Sequence, residues 1–485
     1  METLPDLSRL SHEQKDDIIR MLFEKLQQLT ARVAQLEARL SKDSHNSSMP
    51  PSSDGLGKKT RSLRESSGKN SGGQAGHLGK TLKRVSHADI VVDHPVPRHC
   101  PCGASLNAAK AQVHERRQVF DIPVTRYQVT EHRTRQLRCT CGRVHQSVFP
   151  ESVSDVVQYG PNVRALAVHL SHGQLLPVAR SAQLLSQLFA LNVSQASVLA
   201  WIDEASQRLR PAVEHIAQGL VSVPVAHADE SGLRVAARLH WLHTVASETL
   251  TWYGVHAKRC MPAIEAHGIL RSSIAVLVHD CWKPYWELDC VHALCNAHLL
   301  RELMFVHETT GQRWTQRMMG LLRRANQRCE VARQADKSAL TARQIRWVGK
   351  NYEAILAQAD ADNPQATRQN KRRGRIKQSL AFNLISRLRE HADAVLRFLT
   401  DLRIPFTNNL GERAIRMPKV KQKISGCFRT LKGAQDFCTI RSYLDTMYKQ
   451  GHNLFEVLRY TFMGCAPLPA SCLAVTKFLL NTHPY

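Results

Sequence analysis

The chain has 485 residues, 66 Lys and Arg against 41 Asp and Glu, and a formal charge of +25. Its 43% hydrophobic content makes a sizeable core affordable, and its length leaves room for two to four domains. No apolar run nears the roughly 20 residues that span a bilayer, and Met1 to Asp6 show no export signal. An integral membrane protein is thereby excluded and a cytoplasmic, nucleoid-associated one expected. Thirteen cysteines in such a chain read as reduced thiols or metal ligands, not as a disulfide framework. The positive excess calls for a polyanionic partner.

Residues 1–42 contain Leu22, Leu26, Leu29, Val33, Leu36 and Leu40, alternating steps of four and three between polar residues. This seam of about three heptads reads as a coiled coil that joins copies of the chain, or as an amphipathic helix packed on its own protein. Residues 43–85 turn to Ser, Gly, Pro, Lys and Asn, a composition too polar to bury a core, and read as a flexible basic linker.

In 86–150, Cys100-Pro-Cys102-Gly and Cys139-Thr-Cys141-Gly bracket a stretch expected to be rich in strand, including Glu115 to Pro123. Two paired-thiol turns, each followed by a Gly able to take positive φ, predict a small zinc-ribbon-like module. Cys100, Cys102, Cys139 and Cys141 would hold a structural Zn²⁺. Four buried free thiols are the alternative. Residues 155–215 turn helical: 175–188 and 194–209 form a pair, with Ser194 as N-cap of the second, either a helix-turn-helix that reads DNA or an ordinary helical hairpin.

From 220 to 460 the pattern predicts a mixed α/β domain. Apolar runs lead into Asp229 and Asp280, with strands at 239–246 and 249–255 and a helix at 261–270 between them. That order builds a mixed sheet of ribonuclease H type, whose first and fourth strands lie side by side and bring Asp229 and Asp280 together. A helical insertion at about 300–400 separates them from Glu412, in the first turn of a helix that Pro405 opens. Glu230 is a rival ligand, but neighbours on a strand face opposite ways, so only one of the two joins the site. Carboxylates from distant segments suit two hard cations, Mg²⁺ or Mn²⁺, acting on phosphodiesters. Asn409 and Arg416 share a helix face with Glu412 and are candidates to orient it. Two basic groups are candidate DNA contacts. Lys371, Arg372 and Arg373 lie in a run at 370–377, and Lys419, Lys421, Lys423 and Arg429 continue into Lys432 and Arg441. A solvated linker and a solvated face are the plain alternatives.

Several blocks resemble transposases of the insertion sequence 66 family: Ala228-Asp-Glu-Ser-Gly232, Val278-His-Asp-Cys-Trp-Lys-Pro-Tyr285, Cys295-Asn-Ala-His-Leu-Leu-Arg-Glu302 and Pro405-Phe-Thr-Asn-Asn-Leu-Gly-Glu-Arg413. Lys421 to Arg429 and Arg441 to Lys449 extend the likeness, which covers nearly the whole chain. The resemblance implies a DDE transposase with a ribonuclease H-like core and a catalytic trio at Asp229, Asp280 and Glu412. It also implies double-stranded DNA as substrate, at element ends and target, and small accessory proteins as partners. Ser231, Thr407 and Met49 depart from the family's usual residues, and none is a carboxylate ligand. An inactive regulatory remnant and a structure-specific nuclease on the same fold are the competing readings.

Overall fold

The structure is a computed structural model that describes residues 11–47, 54, 82–107, 111–121, 127–271, 274–366, 376 and 378–470. Helix α1 (His12–Leu40) starts at a capping box, in which Ser11 and Gln14 satisfy each other's backbone donors. Its six seam residues, Leu22 to Leu40, are between 48% and 78% exposed. The paired-thiol region carries a hairpin of β1 (Gln136–Arg138) and β2 (Val144–Gln146). Residues 111–121, expected to be rich in strand, have no regular secondary structure. Phe120 is exposed, as are Val113 and Val119, so no buried face holds that stretch in register.

Helices α2 (Pro161–Val168), α3 (Val178–Phe189) and α4 (Gln195–Val221) follow, α4 capped by Ser194 as expected. Helix α4 continues well beyond residue 209 and passes through Pro211. Burial of Leu209, Ala212, Ile216 and Leu220 along one stripe outweighs the roughly 3 kcal/mol that an interior proline costs. The helix pair is not a free-standing reader. It shares one core with α12 (Leu431–Lys449) and α13 (Leu454–Phe462), through Leu185, Trp201 and Leu209 against Tyr443, Met447 and Leu458.

The sheet contains β3 (Ala226–Val235), β4 (Arg238–Ala246), β5 (Thr251–His256), β6 (Val276–His279) and β7 (Val291–Leu294), in the order β5-β4-β3-β6-β7. Strands β3, β4 and β5 are antiparallel neighbours, whereas β6 runs parallel to both β3 and β7. Helix α5 (Met261–His267) makes the crossover from β5 to β6. The first and fourth strands are thus adjacent, as expected. Strand β3 does not end at Asp229 but runs six residues further, to a two-residue turn at Ala236 and Ala237 with φ of 47° and 62°. Alanine is not a residue that signals positive φ, so the hairpin is silent in the sequence.

The insertion comprises α6 (Asn296–Thr310), α7 (Arg313–Gln334), α8 (Ala342–Asp362), α9 (Leu380–Glu390) and α10 (Ala392–Leu396). Its buried Trp314, Met318, Tyr352 and Leu388 form one cluster with Val278 of β6 and Leu294 of β7. The insertion is therefore a continuation of the core on one face of the sheet. Helix α11 (Asn409–Ser425) returns the chain to β3.

Candidate functional site

Strands β3 and β6 pair in parallel with Ala226 opposite Leu277 and His227 opposite Val278. Asp229 lies two residues beyond the last pair on β3, and Asp280 two residues beyond it on the other side, just after β6 ends. Both carboxylates are half-buried. Burial, then the charges of Glu230 and Asp280 and, less strongly, Glu412, hold the Asp229 carboxyl well above the usual range. The Glu230 amide, 2.8 Å from its Oδ1, pulls the other way. Four acidic side chains, Asp229, Glu230, Asp280 and Glu412, thus share one electrostatic neighbourhood.

Glu412 reaches it because Asn408, the residue that opens α11, is fastened to β3. The buried Asn408 side chain donates from Nδ2 to the Ala228 carbonyl at 2.8 Å, and its Oδ1 lies 2.8 Å from His227 Nδ1. Its backbone N–H points at Cys295 Sγ, 3.1 Å away. Glu412 then closes the first helical turn on the Asn408 carbonyl. Gly411 leaves room for that amide, since a Cβ there would stand 2.9 Å from Asn408 Nδ2. Asn409 and Arg416, expected to orient Glu412, are exposed, and the neighbouring asparagine does the anchoring.

Glu230 is engaged elsewhere. Its fully buried side chain pairs with the Arg259 guanidinium and accepts a 2.6 Å hydrogen bond from Tyr285. Arg259 in turn stacks on Trp241 and Trp282, 5.0 and 4.8 Å from their ring centroids. On the Asp229 side, Lys419 donates to the Gly232 carbonyl at 3.0 Å. Burial lowers its pKa and the Asp229 charge raises it, which places the ammonium near that carboxylate.

Two further side chains touch Glu412. The buried Cys295 thiol donates to Oε1 at 3.6 Å, and His298 Nδ1 lies 3.7 Å from the same oxygen. Burial and the Glu412 charge push the Cys295 thiol up to about 12. The Cys295-x-x-His298 spacing, one turn at the start of α6, was the available signal for this pair.

The expected basic cluster divides. Lys423 and Arg429 are exposed, whereas Lys421 turns onto the carbonyls of Ser171 and Leu176, both at 3.4 Å. Lys432 is paired with Asp203 and Asp436, and Arg441 is buried against the His172 carbonyl and Asp445. The fold buries the Arg441 charge as an internal tie, whereas Lys432 pairs at the surface. Lys371, Arg372 and Arg373 lie outside the described residues.

The paired cysteines form two turns of the same geometry. The Gly103 amide donates to the Cys100 carbonyl at 2.8 Å and the Gly142 amide to the Cys139 carbonyl at 2.9 Å, with glycine φ of 89° and 88°. Hydrogen bonds from backbone amides and from the other thiol of each turn lower the pKa of Cys102 and Cys139, which favours the thiolate that binds metal. Among the described residues, the only three potential ligands whose donor atoms all lie within 4.8 Å of one another are Cys295, His298 and Glu412. Neither the two cysteine turns nor Asp229, Asp280 and Glu412 converge to that degree.

A family model described as Transposase IS66 family matches residues 156–436, more than half of the chain and a span that includes Asp229, Asp280 and Glu412. The chain belongs to the IS66 transposase family. The zinc-finger binding domain of transposase IS66 matches residues 97–142, which hold both cysteine turns, so family membership supports zinc binding as well as a transposase role. A family of unknown function (DUF6444) matches residues 2–83, including α1. Comparison with curated proteins returns no match. No helix among the described residues of this IS66 member is long and apolar enough to cross a membrane.

Proposed function

We propose that this IS66 family chain is a DDE transposase that cuts and joins DNA at Asp229, Asp280 and Glu412. The observation that supports this reading is the parallel pairing of β3 with β6, together with the raised pKa of the half-buried Asp229, to which the charges of Asp280 and Glu412 contribute. The antiparallel trio followed by two parallel strands is the strand order expected of a ribonuclease H-like core.

The donors fit hard divalent cations: they are carboxylate oxygens, and no Lys or Arg among the described ion pairs neutralises Asp229. Asp229, Asp280 and Glu412 are the residues that would hold two Mg²⁺ or Mn²⁺ ions. When bound, the pair would supply an activated water or 3′-hydroxyl and stabilise the leaving oxygen. The protein's own part is positional. Asn408 holds the helix that carries Glu412, and the Arg259–Glu230–Tyr285 network stiffens the strand beneath Asp229.

Exposed Lys423 and Arg429 are the proposed phosphate contacts of the cluster, and Lys371, Arg372 and Arg373, outside the described residues, are proposed from the sequence alone. Cys100, Cys102, Cys139 and Cys141 are the proposed zinc ligands. The exposed leucine seam of α1 is the proposed contact between copies. Double-stranded DNA and small accessory proteins of the same element are the proposed partners.

The test is strand cleavage of DNA bearing the element's ends in Mg²⁺ or Mn²⁺, with Asp229→Asn, Asp280→Asn and Glu412→Gln. Each should abolish cleavage and retain end binding in a gel-shift assay. Undiminished cleavage by any of them would remove that residue from the trio, and cleavage without joined products would favour a nuclease.

A further inference from the structure

We propose that Cys295, His298 and Glu412 form a thiophilic transition-metal site, suited to Zn²⁺, that competes with the hard-cation site for the same carboxylate. The geometry is that of three ligands around one ion. Glu412 Oε1 lies 3.6 Å from Cys295 Sγ and 3.7 Å from His298 Nδ1, and the three donor atoms all lie within 4.8 Å of one another. Tetrahedral zinc with bonds of about 2.3 Å to sulfur and about 2.0–2.2 Å to nitrogen and oxygen sets such pairs about 3.3–3.6 Å apart.

A second observation points to a ligand. His298 Nδ1 is buried and has no hydrogen-bond partner, and 3.7 Å to Glu412 is too long for a hydrogen bond. An ion between them would satisfy both groups. Cys295 and His298 are presented by a single turn, Cys295 as the N-cap of α6 and His298 within its first turn. Both are held by the core, since Cys295 and Leu299 are buried.

The donor set of sulfur, imidazole and one carboxylate selects Zn²⁺, Co²⁺ or Cd²⁺ over Mg²⁺, which takes oxygens. The partly exposed side of His298 and Glu412 leaves the fourth position to water. Binding replaces the S–H bond with an S–metal bond, and the thiol proton leaves to solvent. Only the consequence for catalysis rests on the transposase reading: occupation of this site withdraws Glu412 from its partners, so Zn²⁺ inhibits strand cleavage.

Co²⁺ titration of the full-length protein, followed by thiolate-to-metal absorption and by bound metal per chain, tests the site without any activity. Wild type should take up one Co²⁺ more than Cys295→Ala and than His298→Ala. The second substitution, at a partly exposed side chain, guards against misfolding of the first. Equal uptake by all three proteins overturns the site. In cleavage assays at fixed Mg²⁺, the two variants should need at least about tenfold more Zn²⁺ than wild type for half inhibition. Equal sensitivity overturns the competition. A protein that binds the extra Co²⁺ but cleaves no DNA under any condition refutes the transposase reading and leaves the metal site standing.

Discussion

The carboxylate site and the cysteine turns gather their donor atoms by opposite means. Asp229 lies in β3, Asp280 just after β6 and Glu412 in α11, and they come near one another because β3 pairs with β6 and Asn408 fastens α11 to β3. Each cysteine turn is complete within five residues, closed by two backbone hydrogen bonds and one glycine of positive φ. The first arrangement buries like charges and depends on the entire core. The second sits among exposed residues and depends on local backbone alone. The chemistry placed in each therefore answers differently to the loss of the fold.

Asp280→Asn separates the two regions most sharply. Several kcal/mol of transition-state stabilisation goes with a metal-ligating carboxylate, so cleavage should fall by about 10³-fold or more. Stability should hold or rise, because a like charge leaves the neighbourhood of Asp229. A variant that unfolds instead would make the aspartate a structural residue, and a denaturation curve beside the cleavage assay decides.

Acid tests the core next. Burial lowers His172 to about 3, and His243 and His267 to about 4, from an ordinary 6.5. The folded protein keeps them neutral while the unfolded chain binds protons below pH 6.5. Their contribution to stability is therefore full above 6.5 and lost as pH falls from 6.5 towards 4. The slope is about 1.4 kcal/mol per pH unit for each histidine. Urea midpoints at pH 7 and pH 5 should differ accordingly, and equal midpoints would contradict the burial.

Asn408→Ala leaves the Ala228 carbonyl without its donor, at a cost of about 1–3 kcal/mol. It also loosens Glu412, so cleavage should drop more than the stability loss accounts for, measured under conditions where the variant stays folded. The smallest effect on the core should come from the cysteine turns. Cys100→Ser with Cys139→Ser should lose bound zinc, counted by metal analysis, and move core stability by no more than about 0.5 kcal/mol. A larger shift would mean that the two regions fold as one.

Legibility in the sequence followed the same division. The cysteine turns were readable because Cys-x-Cys-Gly is a local code for its own geometry. Asp229 and Asp280 stood out as candidates because apolar runs lead into them; strand alternation allowed only one of Asp229 and Glu230, and the apolar run with the family resemblance favoured Asp229. Other features had no local signature. Strand β7 is four residues long, and the β3–β4 turn is built from two alanines. Asn408 and Asn409 are chemically identical neighbours, and only the position of β3 makes the first the anchor. Arg441 and Lys432 look like any basic face until His172 and Asp203 arrive from elsewhere.

By itself the sequence determined the family likeness, the adjacency of the strands that lead to Asp229 and Asp280 and the basic character of the chain, since these rest on residue type and short-range periodicity. Tertiary structure alone decided which charges stay free for a partner and which are spent inside, and which carboxylate meets a thiol and an imidazole. A side chain's role there depends on neighbours more than 100 positions away, and short-range pattern holds no record of them.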